Sequence, residues 1–130
     1  MNQVEIRKII PAFSDERGAI SDIVDDAVIL HVGIISSKKG TIRGNHYHIK
    51  QTQHNYILSG KSKLITWQVK GQKNVTQNIL TEGDLVFIPA GVAHRMEFLE
   101  DTVFLDMNSE SRSNDGYEKD TVRVNYDTSV

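Results

Sequence analysis

The feature that most constrains the fold is a cadence. Short alternating segments rich in Val, Ile and Thr recur along the whole chain, each closed by a cluster of Gly, Asn, Asp or Ser. Val4–Ile10 alternates and stops at Pro11; Asp15-Glu16-Arg17-Gly18 is a polar turn; Ala19–Val24 follows. Ala27–Ile35 is the most apolar stretch and predicts the strongest strand. Strands are then predicted over Thr41–His48, Gln53–Leu58, Ser62–Val69, Asn74–Leu80, Leu85–Ile88, Ala93–Phe98 and Thr102–Met107. Asn108–Gly116 reads as a surface loop, and Tyr117–Val130 as either a strand around Val122 and Val124 or a loose tail. No convincing amphipathic helix breaks the rhythm. About ten short strands at roughly eight-to-twelve-residue spacing predict an all-β antiparallel sandwich or barrel. In a jelly roll, one face of each strand would line the interior and the other would face solvent or a partner.

Composition narrows the function classes. A chain of 130 residues, 38% hydrophobic, is long enough for one cored domain, taken here as residues 1–130. The longest apolar run is interrupted by His31 and is too short to span a bilayer. The opening residues lack a signal-peptide pattern, so a cytoplasmic protein with no membrane partner is expected. There is no cysteine, which excludes disulfides and thiolate zinc sites. The net charge is −2 with both signs interspersed and no basic stripe, which argues against a nucleic-acid partner.

The chemistry concentrates in Gly40–Gly60. His46 and His48 are two apart, so on a strand both imidazoles face one side, with Cα atoms ~6.5 Å apart. That suits a metal ion or a substrate with two groups to hold. His54 has the opposite parity and joins Tyr56 and Leu58 in a stripe expected to pack on a second sheet or subunit. His31 lies in the most apolar stretch and reads as a hydrogen-bonded core or interface residue. Trp67 reads as packing.

These residues resemble the motifs of the cupins, small jelly-roll barrels also called double-stranded β-helices. Gly40, His46, His48 and Gly60 match G-x5-H-x-H-x4-E-x6-G, with Gln53 in the Glu position. Gly83, Pro89, Gly91 and His94 match G-x5-P-x-G-x2-H-x3-N, with Phe98 in the Asn position. The resemblance implies a cupin barrel in which His46, His48, Gln53 and His94 face inward. Such a set can hold a divalent ion such as Zn, Mn, Fe or Ni. A Gln amide is a weaker, uncharged ligand than a carboxylate, so occupancy is left open.

A narrower resemblance joins Phe13-Ser14-Asp15-Glu16-Arg17-Gly18 to Arg43-Gly44-x-His46-x-His48 and Gln53. These elements resemble the cupin enzymes that isomerise or epimerise nucleotide-linked 4-keto-6-deoxy sugars. In the dTDP-sugar 3,4-ketoisomerases Gln also follows the histidine pair, and no cofactor is required. The same Arg-Gly-x-His-x-His wording resembles the metal-binding cupin domain of a capsular-polysaccharide sugar-nucleotide reductase. The resemblance implies His46 and His48 as acid–base residues, and Tyr117 as a proton donor by analogy with the 3,5-epimerases. Arg17 and Arg43 would contact a diphosphate, Gln53 the substrate, and Met96 and Phe98 a deoxy-sugar methyl. Two other classes stay open: a metal-dependent cupin oxygenase or other small-molecule enzyme, and a non-catalytic sugar-binding cupin. A homodimer is expected, packed through Val4–Ile10 or the His54/Tyr56/Leu58 stripe.

Overall fold

The computed structural model describes residues 3–128. Its strands are β1 (Glu5–Lys8), β2 (Phe13–Asp15), β3 (Gly18–Ile20), β4 (His31–Ser37), β5 (Ile42–His48) and β6 (Gln53–Ser59). They continue as β7 (Lys61–Gln68), β8 (Lys73–Thr81), β9 (Asp84–Ile88), β10 (Ala93–Phe98), β11 (Thr102–Asn108) and β12 (Thr121–Arg123). A 3-10 turn (Ser113–Asp115) and the short helix α1 (Gly116–Asp120) precede β12. Two five-stranded antiparallel sheets form, ordered β1-β9-β6-β11-β4 and β12-β5-β10-β7-β8, beside a β2–β3 hairpin. This is the jelly roll of the cupins.

The interior is graded along its length. On β6 the inward residues run Gln53, Asn55, Ile57; on β11, paired to it, they run Asn108, Asp106, Phe104. On β10 they run His94, Met96, Phe98. Polar ends of three strands thus gather at one mouth, and apolar ends meet at the other. There Ile57, Leu64, Leu80, Val86, Ile88, Phe98 and Phe104 make the main core. Burying each such side chain contributes about 1.5–3 kcal/mol. Gly60, at φ +100°, lets the β6–β7 turn pass directly against the Asp101 carbonyl and Thr102.

Part of each outer face is covered by the chain itself. Ile23, Val24 and Ile29 pack with Ile9, Leu85, Met107 and Tyr56 on the first sheet. Val124 and Tyr126 pack with Ile65, Trp67, Ala93 and Tyr47 on the second. Three findings correct the expectations. The strand over Ala27–Ile35 begins only at His31, because the β11 ladder ends where Asn108 pairs with His31 and residues 27–30 have no strand to join. The His54/Tyr56/Leu58 stripe is largely taken up within the chain, His54 lying 4.9 Å from the Phe87 ring and Tyr56 joining the Ile9 cluster. The segment after Tyr117 is no loose tail up to residue 128: β12 pairs with β5, and Tyr126 sits 4.8 Å from Trp67. Among the described residues, no helix is long and apolar enough to cross a membrane.

Candidate active site

A β-bulge on β5 builds the site. Opposite β10, His46 pairs with His94 and Gly44 with Arg95, leaving Asn45 as the extra residue. Gly44 has φ 95° and Asn45 φ 58°. A Cβ on Gly44 would lie 2.7 Å from the His94 carbonyl oxygen, so the close approach of the two strands requires glycine. Arg43 and His46, an odd number apart, both line one cleft because the bulge resets the alternation. The Pro89-Ala90-Gly91 turn is pinned when Gly91 N–H donates to the His48 carbonyl at 2.7 Å. His46, His48 and His94 thereby converge, their ligand nitrogens all within 4.8 Å of one another.

Hydrogen bonds set two of the three rings. His94 Nδ1–H donates to the Val92 carbonyl at 3.1 Å, leaving the Nε2 lone pair free. Thr121 Oγ1–H donates to the Tyr117 carbonyl, so the hydroxyl oxygen accepts from His48 Nδ1–H at 3.3 Å. His48 Nε2 is then a buried lone pair with no partner. Gln53 Oε1 is a second buried acceptor with no partner. Imidazole nitrogens gathered this closely fit a cation, and Gln53 adds a buried oxygen in the same cleft wall. Burial pushes His46, His48 and His94 down to about 4, and each is lowered further by a neighbouring imidazole of the cluster. At neutral pH all three are uncharged bases, the form a metal requires.

The cluster opens into a cleft of about 710 Å³. His46 and His94 line it, whereas His48 is 3% exposed and stands behind them. Tyr117 on α1 faces the cluster, its ring 6.3 Å from His46 and 5.6 Å from His48. Arg112 stacks over Tyr117 at 4.4 Å and reaches Asp106 at 3.5 Å. Arg43, Gln53 and Met96 line the cleft as expected. The Arg43 guanidinium donates to Ser37 Oγ (2.6 Å) and the Ser36 carbonyl (3.1 Å), both uncharged partners.

Two expected substrate contacts fall elsewhere. Phe98 shares the parity of His94 but lies at the apolar end, 2% exposed and stacked 6.1 Å from Phe104. Arg17 lies on the β2–β3 turn outside the cleft lining, its guanidinium 2.6 Å from Asp15. Sequence reasoning passed over Asp106, Asn55, Asn108, Arg112 and Arg123, all of them in or against the cleft wall, and His31, read as a hydrogen-bonded core or interface residue, bonds Asn108 and lines the cleft. The signal was present for Asp106 and Asn108: they share the inward parity of Thr102 and Phe104 in an otherwise apolar strand.

Solved structures share this architecture. A dTDP-4-dehydrorhamnose 3,5-epimerase from Sulfolobus tokodaii aligns over 95% of this chain and 77% of its own, at 20% identity and TM-score 0.75. A 3,4-ketoisomerase from Thermoanaerobacterium thermosaccharolyticum, solved with TDP, aligns over 95% and 88%, at 25% identity and TM-score 0.73. A 3'-monoepimerase from Streptomyces bikiniensis, solved with dTDP-quinovose, aligns over 94% and 69%, at 16% identity and TM-score 0.78. Comparison with curated protein sequences gives no match. Residues 13–122 match the family described as the polysaccharide biosynthesis C-terminal domain. That span holds both sheets' site strands, the histidine cluster and Tyr117, and the chain belongs to this family of cupin jelly rolls.

Proposed function

We propose that the protein is an isomerase or epimerase acting on a nucleotide-activated 4-keto-6-deoxy sugar, in the making of a polysaccharide or glycoside. The observation that carries this reading is the pairing of His46 with Tyr117 across the polar mouth of the cleft. A C–H next to a ketone is acidified by the carbonyl. His46 takes that proton as a neutral imidazole, and the C–H electron pair moves into an enolate. Tyr117 returns a proton to the same carbon from the other face, giving the epimer, or the adjacent hydroxyl gives up its proton while the former carbonyl carbon takes one, giving the keto isomer; proton exchange with water restores both side chains. Arg43, whose guanidinium donates to the uncharged oxygens of Ser36 and Ser37, suits a diphosphate at the rim. Met96 supplies an apolar patch for the sugar methyl. The names of the similar solved structures support this substrate class.

The test is incubation with dTDP- or UDP-4-keto-6-deoxyhexose in deuterium oxide. Deuterium incorporation beside the ketone is expected, and its absence together with no nucleotide-sugar binding sinks the proposal. The leading reading requires no metal; a second, favoured by the buried and unpartnered His48 Nε2, has a divalent ion, Zn, Mn, Fe or Ni, held by His46, His48, His94 and Gln53, with His46 then a ligand and not the base. When bound the ion would polarise the substrate carbonyl as a Lewis acid. Elemental analysis of protein purified without chelator checks this, and a stoichiometric ion lost in His48→Ala is the expected result.

We also propose a homodimer, through a different face from those expected. Val28, Leu30, Val32 and Ile34 are 72%, 64%, 61% and 69% exposed, on and just before β4, the edge strand of its sheet. An apolar row on an unpaired edge suits self-association about a two-fold axis. Light scattering is expected to give twice the chain mass for the native protein and a monomer for Val32→Glu; a native monomer removes the proposal.

A further inference from the structure

Asp106 is a carboxylate 3% exposed, in the wall of the cleft. A carboxylate only accepts hydrogen bonds. Oδ1 receives Gln53 Nε2 at 3.2 Å and Asn55 Nδ2 at 2.8 Å. Oδ2 receives Asn108 Nδ2 at 3.0 Å and the Arg112 guanidinium at 3.5 Å. Three carboxamides therefore turn their nitrogens toward one charge and their oxygens away from it. The oxygens of Gln53 and Asn108 are left buried without a partner, which no free rotation of the amides would select.

The effect passes one residue further. The second hydrogen on Asn108 Nδ2 reaches His31 Nδ1 at 3.0 Å. A ring nitrogen that accepts carries no proton, so the His31 proton sits on Nε2. His31 lines the cleft with His46 and His94, and its Cε1–Nε2 edge lies over Gly33. A Cβ at Gly33 would come within 3.3 Å of His31 Cε1, so glycine there leaves that edge room.

We propose that Asp106 is a positioning residue of the cleft: its carboxylate sets Gln53 as an acceptor and, through Asn108, presents His31 to a bound ligand as an Nε2–H donor. The ligand class that uses such a donor carries an exposed oxygen acceptor, as a sugar hydroxyl or ketone does. Only this last step rests on the proposed activity. The placement of the ring proton does not; it follows from the amide nitrogen of Asn108 facing His31 Nδ1.

Long-range 1H–15N correlation spectra of histidine-labelled protein show which ring nitrogen carries the proton. The native protein is expected to show His31 as the Nε2–H form; an Nδ1–H form overturns the proposal. In Asp106→Asn the new amide cannot accept from all four donors, Asn108 loses its preferred orientation, and His31 is expected to become a mixture of both forms. His94, held by the Val92 carbonyl, stays unchanged and reports that the barrel is intact. Asn108→Ala, which cuts the link but spares the Asp106–Gln53 bond, is expected to release His31 in the same way. A His31 signal unmoved in both variants overturns the proposal. Turnover or nucleotide-sugar affinity of Asp106→Asn is expected to fall about 10–100-fold, the usual scale for an orienting partner. A failed deuterium-exchange assay alongside the expected ring spectra would sink the activity and leave the positioning role standing.

Discussion

His46, His48 and His94 differ in what surrounds them more than in what they are. His48 has Thr121 on Nδ1 and a bare, buried Nε2; His94 has the Val92 carbonyl on Nδ1; His46 reaches the cleft and faces Tyr117. His48 stands behind the cleft wall, His94 lines it with its ring fixed, and His46, beside Tyr117, is the one proposed to take the substrate proton. His46→Asn is accordingly expected to lower kcat about 10²–10⁴-fold with the fold retained, measured by turnover against circular dichroism. Tyr117→Phe is expected to lower kcat while leaving KM near native, since it deletes a proton and keeps the ring under Arg112. At the other end of the same strand row, Phe98→Ala is expected to cost about 3–5 kcal/mol of stability in denaturant unfolding, with its loss felt in the core. Parity alone put Phe98 with His94; depth along the barrel separates them.

Among the elements, β5 carries the most consequence because its bulge sets which residues face the cleft. Gly44 combines a positive φ with backbone contact to His94, so both the conformation and the space exclude a side chain. Gly44→Ala is expected to destabilise the protein by roughly 1–3 kcal/mol or more and to reduce metal content with it, since β10 must move away from β5. Thermal melting together with elemental analysis measures this; a variant with native melting and native metal would mean the bulge is not needed. Helix α1 and β12 matter in a second way. Asp120 accepts the backbone N–H groups of Lys50 and Gln51 at 2.8 and 2.9 Å, tying the end of β5 to the segment that carries Tyr117. The cluster and its aromatic partner are held as one unit.

For the whole molecule, the buried histidines couple stability to pH. Their folded-state values lie at about 4 against an ordinary 6.5, chiefly through burial. The unfolded chain therefore binds more protons between those values, so stability is full above about 6.5 and is lost as pH falls toward about 4. Each group contributes on the order of 1–3 kcal/mol across that window. A melting temperature that falls steadily from pH 6.5 to pH 4, and falls about a third less in a His94→Gln variant, is the expected outcome. A flat profile over that window would contradict it.

The strand cadence, the turn glycines and the two spaced motifs were enough to determine a cupin barrel with His46, His48, Gln53 and His94 facing inward. Those properties depend on local alternation and on turns, which a linear chain displays directly. The reset of alternation at Asn45, the burial of Asp106 beside Gln53, and the approach of His31 through Asn108 depend on which strands lie side by side. So does the packing of Ile23, Val24 and Ile29 and of Val124 and Tyr126 onto the outer faces. The chain order does not display those neighbours: β6 lies between β9 and β11, and β5 between β10 and β12. Where the charge of the site resides was decided in the same way. The sequence has an uncharged Gln in the first motif, and the carboxylate that orients it arrives from β11, 53 residues further along, because the two strands pair in the folded barrel.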